Sequence, residues 1–357
     1  MTPPFRADHI GSLLRPKKLR EAFRGPATAL RAAQDEAIRE VVKLQEDCGL
    51  PVVTDGEFRR ISYWEKFVRL TQGLVVKEAV FRFHDAHGHE SEFTAPYAEG
   101  KVSRREPIAL DEYKFVSKFT KATTKITLPA PSTMHFYRFT DWGSAYRDAE
   151  EFVADLGKVY QAEIADLAAA GCKYVQIDEV AVAILCDPAA REKVKAQGGD
   201  PDRLVDLYIG AINEALKHRP AGMAVGVHVC RGNYKGMYLS EGGYDSVAER
   251  FFGRTRATHF LLEFDTPRAG GFAPLRFVPK DKGVVLGLVS SKIPQLEKLD
   301  ELKIRTQEAA KYVDISRLAI SPQCGFASTI GGNPVTEADQ RAKLRLCVDA
   351  ARAIWGK

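Results

Sequence analysis

The stretch Ala224-Val-Gly-Val-His-Val-Cys230 is small or branched and apolar until it ends on an imidazole and a thiol. A short run of this composition, bounded by helical patterns on both sides, reads as a parallel strand buried on both faces. Working outward, runs of the same kind recur at Arg6 to Ser12, Val52 to Glu57, Thr124 to Pro129 and Tyr174 to Glu179 on one side. On the other side they recur at His259 to Phe264, Val284 to Ser290 and Leu318 to Cys324. Between them, Leu30 to Cys48, Tyr146 to Ala170, Asp202 to Lys217, Ser246 to Phe252, Gln295 to Tyr312 and Thr336 to Ile354 place apolar residues three and four apart. Strand–helix alternation on this scale predicts an α/β chain folded as a TIM (β/α)8 barrel. Leu74 to Pro107 breaks the rhythm with charge, aromatics and short alternating segments around Gly100. It reads as a β-hairpin insertion, about residues 74–107, over one face of a single barrel domain spanning 1–357.

Composition narrows the chemistry. With 357 residues, 45% of them hydrophobic, the chain can bury a large core. A net charge of +5, from 52 basic and 47 acidic residues, is too small and dispersed for a nucleic-acid groove or a membrane-binding face. Partners are therefore expected to be small molecules, and a homo-oligomer is left open. No apolar run reaches the roughly 18–20 residues of a spanning helix, and Met1-Thr-Pro-Pro-Phe5-Arg6 lacks the plan of a signal peptide. Six cysteines scattered through a long chain point to a reducing, cytoplasmic compartment in which thiolates are free to bind metal.

In a barrel of this kind, function gathers where strands end. The ends carry Asp8, His9 and Ser12, then Asp55 and Glu57, Asp178 and Glu179, His228 and Cys230, Glu263 and Asp265, Ser290, and Cys324. His228 and Cys230 lie two apart on one strand and face the same side. Imidazole, thiolate and carboxylate together suit zinc, and His228, Cys230, Glu263 and Cys324 form such a set. The plainer reading makes both cysteines small core residues and His228 a hydrogen-bonded core histidine. Cys48, Cys172, Cys186 and Cys347 fall in helical surroundings and read as core. His84, His87 and His89, beside Asp85 and Glu90, read as a solvated loop.

Asp8-His-Ile-Gly-Ser12, Asp55-Gly-Glu57, Gln176-Ile-Asp-Glu179, His228-Val-Cys230, Leu262-Glu263 and Pro322-Gln-Cys-Gly325, in that order, resemble the catalytic C-terminal domain of cobalamin-independent methionine synthase. The chain is most similar to the stand-alone, single-barrel relatives of that enzyme. The resemblance implies a zinc-dependent methyltransferase that makes methionine from homocysteine, with His228, Cys230, Cys324 and Glu263 as zinc ligands. It implies that Ile10 and Ser12 hold the homocysteine carboxylate and that Glu57 and Asp178 take its ammonium; the plainer reading of both carboxylates is a structural ion pair with a nearby arginine such as Arg59. The methyl donor would be 5-methyltetrahydrofolate or another alkyl donor.

Three features depart from that pattern. The N-terminal half of the long enzyme has no counterpart here. Gly287-Leu-Val-Ser290 lacks the histidine that the family associates with protonating the departing folate, so His9 or an ordered water is the expected proton source. Arg231, directly after Cys230, is expected to bring a guanidinium to the pocket rim. Such a guanidinium would suit the sulfonate of a relative that opens epoxides with coenzyme M, whereas Glu57 and Asp178 favour an ammonium. A non-catalytic zinc barrel or thiol-binding protein is the reading of another class. Trp64 and Phe67 are expected in the wall or core.

Overall fold

The computed structural model describes residues 3–85, 87–138 and 145–356, so Ala86 of the insertion lies outside the described residues. Its strands are β1 (Val52–Val53), β2 (Thr71–Glu78), β3 (Phe83–His84), β4 (Glu90–Ser91), β5 (Thr94–Arg104), β6 (Thr123–Pro129), β7 (Tyr174–Glu179), β8 (Ala224–Val229), β9 (His259–Glu263), β10 (Gly283–Val289) and β11 (Leu318–Pro322). β1, β6, β7, β8, β9, β10 and β11 pair in that order, all parallel, as a curled sheet of 7 strands. Parallel strands covered on both faces must be apolar throughout, and β7 and β10 are buried at every position. The helices pack outside. Helix Glu337–Trp355 starts where Thr336 and Asp339 form a reciprocal cap, and Pro201–Ala215 starts on Asp200 with Pro201 at its first position.

The first expected strand, Arg6 to Ser12, is not a full strand, and it closes the barrel by another route. Ala7 makes a single parallel bridge to Ile320 of β11, while on the other side Thr54 Oγ1 donates to the Gly11 carbonyl at 2.7 Å and Leu13 N to Gly56 O at 3.1 Å. Gly11 explains the break. Its φ is +124°, and a Cβ there would lie 2.5 Å from Thr127 Cγ2. The chain bends over the barrel mouth at a point where only glycine fits, so the ladder cannot continue.

The insertion is a hairpin of β2 and β5 starting at Thr71 and ending at Arg104, three residues earlier at each edge than its composition suggested. The shorter β3–β4 pair extends it. His84 bridges Tyr238 in the loop after β8, and Val80 N donates to Tyr137 O at 2.9 Å. The insertion is thereby pinned over the C-terminal ends of the strands.

Inside the barrel, the lower layer is polar. Lys125 donates to Asp8 at 2.7 Å and to Gln176 at 2.9 Å, and the Tyr174 hydroxyl bridges Asp8 and His259 at 2.6 and 2.7 Å. Gln176 then donates to Asp178 at 2.7 Å, two residues higher on β7. Each buried donor finds an acceptor, so the network acts as a rigid floor that fixes Asp178 above it.

Candidate functional site

β8 ends with His228 pointing inward, Cys230 follows one residue past the strand, and β11 delivers Cys324 through the Pro322-Gln323 corner. The ligand atoms of these three buried residues lie within 4.8 Å of one another. The two sulfurs are 3.7 Å apart. That is far from the roughly 2.05 Å of a disulfide. It matches the separation of about 3.8 Å expected for two sulfurs each about 2.3 Å from one tetrahedral ion. His228 Nδ1 donates to the Leu261 carbonyl at 3.1 Å, which leaves the lone pair on Nε2, and buried Nε2 has no hydrogen-bond partner. A backbone carbonyl holding one imidazole nitrogen while the other stays free is the usual support of a metal-binding histidine.

The three ligand groups shift one another's protonation. The hydrogen bond from Cys230, followed by the neighbouring His228 and Lys292, holds the Cys324 thiol far below its usual range; the same contact, with burial, pushes Cys230 up. Burial works against the His228 imidazolium, yet Cys324 and Asp178 outweigh it and raise its pKa.

The same cavity of about 50 Å³ is lined by Ile10, Ser12, Glu57 and Asp178. Glu57 has φ +61°, a costly conformation for a residue with a side chain. It is held there by Asp55 Oδ1, which accepts from Glu57 N at 2.8 Å, and by Thr127, whose hydroxyl donates to Glu57 Oε1 at 2.7 Å. Glu57 Oε2 is buried with no hydrogen bond. Burial pushes the Asp178 carboxyl up to about 7, with His228 pulling it down and the Glu57 charge adding to the rise. Arg59 pairs with Asp35 at 2.6 Å, while the buried Arg60 lies 3.7 Å from Glu57 Oε1. Ser12 packs so closely on Gly325 that a Cβ there would sit 1.9 Å from its hydroxyl, which explains the glycine after Cys324.

Above this cavity lies a larger one of about 690 Å³, walled by Trp64, Phe93 and Tyr234 among others and reaching the insertion at Val76 and Glu92. Tyr63, Phe83, Tyr137, Asn233 and Ser328 line both. None of these five was singled out from the sequence, because they sit on loops and the insertion, where no periodicity marks them. Trp64 is wall and Phe67 is core, as expected.

The family model for the cobalamin-independent synthase catalytic domain matches residues 14–240. The chain belongs to the cobalamin-independent methionine synthase family. It is 40% identical to the uncharacterized protein YxjH of Bacillus subtilis (strain 168), across 99% of this chain and 95% of that one. It is 30% identical to the methionine synthase of Pyrococcus abyssi (strain GE5 / Orsay), across 88% of this chain and 82% of that one. A Listeria monocytogenes crystal structure described as a vitamin-B12 independent methionine synthase superposes over 100% of both chains with TM-score 0.75 and 30% identity. Membership in the methionine synthase family implies an enzyme that transfers methyl groups between small molecules.

Three residues expected at the site are engaged elsewhere in the structure. Glu263, the fourth expected ligand, is not in the group whose atoms lie within 4.8 Å. Its carboxylate is taken by Arg268 at 2.5 Å and by the Arg231 backbone N–H at 2.7 Å, with Lys292 at 3.8 Å. Burial would raise its pKa, but the charges of Lys292, Arg268 and Arg231 win and hold it at about 2. Arg231 does not reach the pocket rim. It is fully buried, donating to Gly242 O, Tyr244 Oη and Ala269 O. His9 is not brought to the cavity either, since Asp8, Ile10 and Ser12 take the inner side and alternation turns His9 outward. Burial and the Lys125 charge lower its pKa to about 3, and Gln45 of helix Ala27–Asp47 is among its neighbours. His84, His87 and His89 belong to no metal-competent group among the described residues, and His89 pairs with Asp85 at 2.8 Å.

Proposed function

We propose that this chain is a zinc-dependent homocysteine methyltransferase, one catalytic barrel over residues 1–357 with its hairpin insertion, working in the cytoplasm. The carrying observation is that His228, Cys230 and Cys324 converge in the cavity that also holds Glu57 and Asp178. Three protein ligands leave a fourth position, the arrangement of a catalytic zinc site. A zinc ion bound there supplies the positive charge that keeps an incoming thiol deprotonated near neutral pH.

The remaining work belongs to the chain. Asp178 and Glu57 take the homocysteine ammonium, and the Ser12 hydroxyl with the Ile10 backbone takes its carboxylate. Their fixed spacing aims the sulfur at the outer chamber, where the methyl donor sits. No Lys or Arg lines the inner cavity among the described residues, which disfavours the sulfonate of coenzyme M and the epoxide-opening alternative. The free state of all six cysteines supports a reducing compartment.

The test is zinc X-ray absorption of the metal-loaded protein with and without homocysteine, paired with mass spectrometry of the thioether formed from 5-methyltetrahydrofolate or an alternative methyl donor. One added sulfur in the zinc shell and methionine as product are expected. A closed shell that does not change, with no product, would return the chain to a structural zinc barrel or a thiol-binding protein.

A further inference from the structure

The methyl transfer proposed above has a proton balance that the described zinc-site residues leave open. The acceptor thiol loses its proton on binding, and a leaving nitrogen must gain one. His9 faces away from the cavity, and Gly287-Leu-Val-Ser290 offers no acid. The reacting carbon lies between a sulfur in the inner chamber and a donor in the outer one, so the proton source must border both. Among the described residues Tyr63, Phe83, Tyr137, Asn233 and Ser328 do so. Phe83 has no acidic proton, the Asn233 amide is spent on Gly325 O at 2.7 Å, and a serine hydroxyl is a far weaker acid than a phenol. Tyr63 and Tyr137 remain, with their hydroxyls 3.5 Å apart.

Resting on the homocysteine methyltransferase reading, we propose that Tyr63 donates the proton to the departing donor atom while Tyr137 hydrogen-bonds the phenolate left behind. The homocysteine sulfur forms the S–C bond, and the C–N bond breaks with its pair going to nitrogen. The Tyr63 O–H bond gives that nitrogen its proton, and the proton the thiol shed on binding restores Tyr63 through solvent. Atoms and charge balance with no further reactant. Both phenols are fixed by the fold: Tyr63 N donates to Ser328 O at 2.9 Å, and Tyr137 packs edge-on to Phe93 of the insertion at 5.1 Å. Burial raises the Tyr63 pKa, so the phenol stays protonated at neutral pH, and its hydroxyl lies 3.5 Å from that of Tyr137.

The experiment compares Tyr63→Phe and Tyr137→Phe with the wild-type zinc holoenzyme, using homocysteine and two donors. 5-Methyltetrahydrofolate needs its leaving nitrogen protonated; methyl iodide does not. Tyr63→Phe is expected to slow methionine formation from the folate about 10²–10³-fold, the usual worth of a positioned acid. It should leave the methyl iodide rate, zinc content and homocysteine KM unchanged. Tyr137→Phe should cost less with the folate and nothing with the iodide. Equal loss with both donors, or loss with neither, overturns the role of Tyr63 while thiol activation stands. Wild-type turnover of methyl iodide but not of the folate overturns it as well, since no nitrogen then leaves. Wild-type failure with both donors would instead overturn the methyltransferase reading beneath it.

Discussion

The two chambers are made from different kinds of sequence. The inner one takes Asp178, His228 and Cys324 from the ends of β7, β8 and β11, with Ser12 and Glu57 added from the short segments that follow Gly11 and β1. The outer one is walled by loop and insertion residues such as Trp64, Phe93, Tyr234 and Lys235. Strand ends share a rigid hydrogen-bonded frame and can hold a reacting sulfur to a fraction of an ångström. Loops can vary without disturbing that frame. Under the proposed methyl transfer, the difference assigns thiol activation to the rigid scaffold and donor choice to the loops around it.

Removing an inner ligand should break this division most completely. His228→Ala, Cys230→Ser or Cys324→Ala is expected to abolish zinc binding, read by metal analysis. Each should lower activity on the order of 10³-fold or more while far-UV circular dichroism stays unchanged. Cys172→Ala, a buried cysteine outside the site, should keep its zinc. Full zinc in the Cys324 variant would remove that residue from the ligand set.

The next largest effect should come from the ion pairs that tie the chambers together. Glu112 is almost fully buried and receives Arg60 at 2.6 and 3.3 Å and Lys66 at 3.1 Å. Arg60 also donates to Thr127, the residue that holds Glu57. This cluster anchors the loop carrying both Glu57 and Tyr63. Glu112→Gln would remove the charge shared by two buried cations, leaving Lys66 only Asp111 at 2.5 Å and Arg60 only Glu57 at 3.7 Å, a cost of up to about 3 kcal/mol in unfolding free energy. Burial alone would raise the Glu112 pKa, but Arg60 and Lys66 outweigh it and hold it at about 2. A carboxyl depressed in the folded state stabilises the fold above its ordinary value near 4.5 and loses that contribution as pH falls toward 2. Denaturant unfolding should therefore show the gap between wild type and Glu112→Gln narrowing between pH 5 and pH 2. A gap independent of pH would mean that the pair is not what stabilises the loop.

Asp178→Asn sharpens the comparison from the substrate side. Losing one charged acceptor for the ammonium should raise the homocysteine KM by roughly 1.5–3 kcal/mol, or about 10- to 150-fold, and leave the donor KM in place. Stability should move the other way. A carboxyl raised to about 7 in the folded state costs stability when ionised; the cost is absent below about 4 and complete above about 7. The asparagine variant should then melt higher than wild type at pH 8 and the same at pH 4, measured without substrate or metal. A donor KM that rose in step with the homocysteine KM would show that the chambers do not divide the substrates.

What could be read from the sequence follows the same boundary. β7, β8 and β10 were legible because parallel strands buried on both faces leave unbroken apolar runs, and two-residue alternation correctly aims His228 inward. The same alternation places His9 opposite Asp8 and Ile10, so its exclusion from the cavity was latent in the sequence. The ladder break at Gly11 was not, because its positive φ answers to Thr127, more than a hundred residues away. Glu263 was placed at the right strand end, but Arg268 and Lys292, which take up its charge, come from separate loops with no spacing signal. Tyr63 and Tyr137 carry no spacing signal for the same reason: the first is held by Ser328 and the second by Val80, both far away in the chain.

The smallest expected effect probes the outer wall alone. Phe93 packs against Phe83 at 4.8 Å and Tyr137 at 5.1 Å, bordering the large chamber without touching the inner one. Such aromatic contacts are worth roughly 0.5–1.5 kcal/mol, so Phe93→Ala should raise the methyl donor KM a few-fold. Homocysteine KM, zinc content and the rate with methyl iodide should all stay at wild-type values, because the strand-end frame beneath is untouched. If Phe93→Ala shifted the homocysteine KM as much as the donor KM, the insertion would be positioning the thiol too. The outer chamber would then count as part of the activating machinery rather than as the surface that selects the donor.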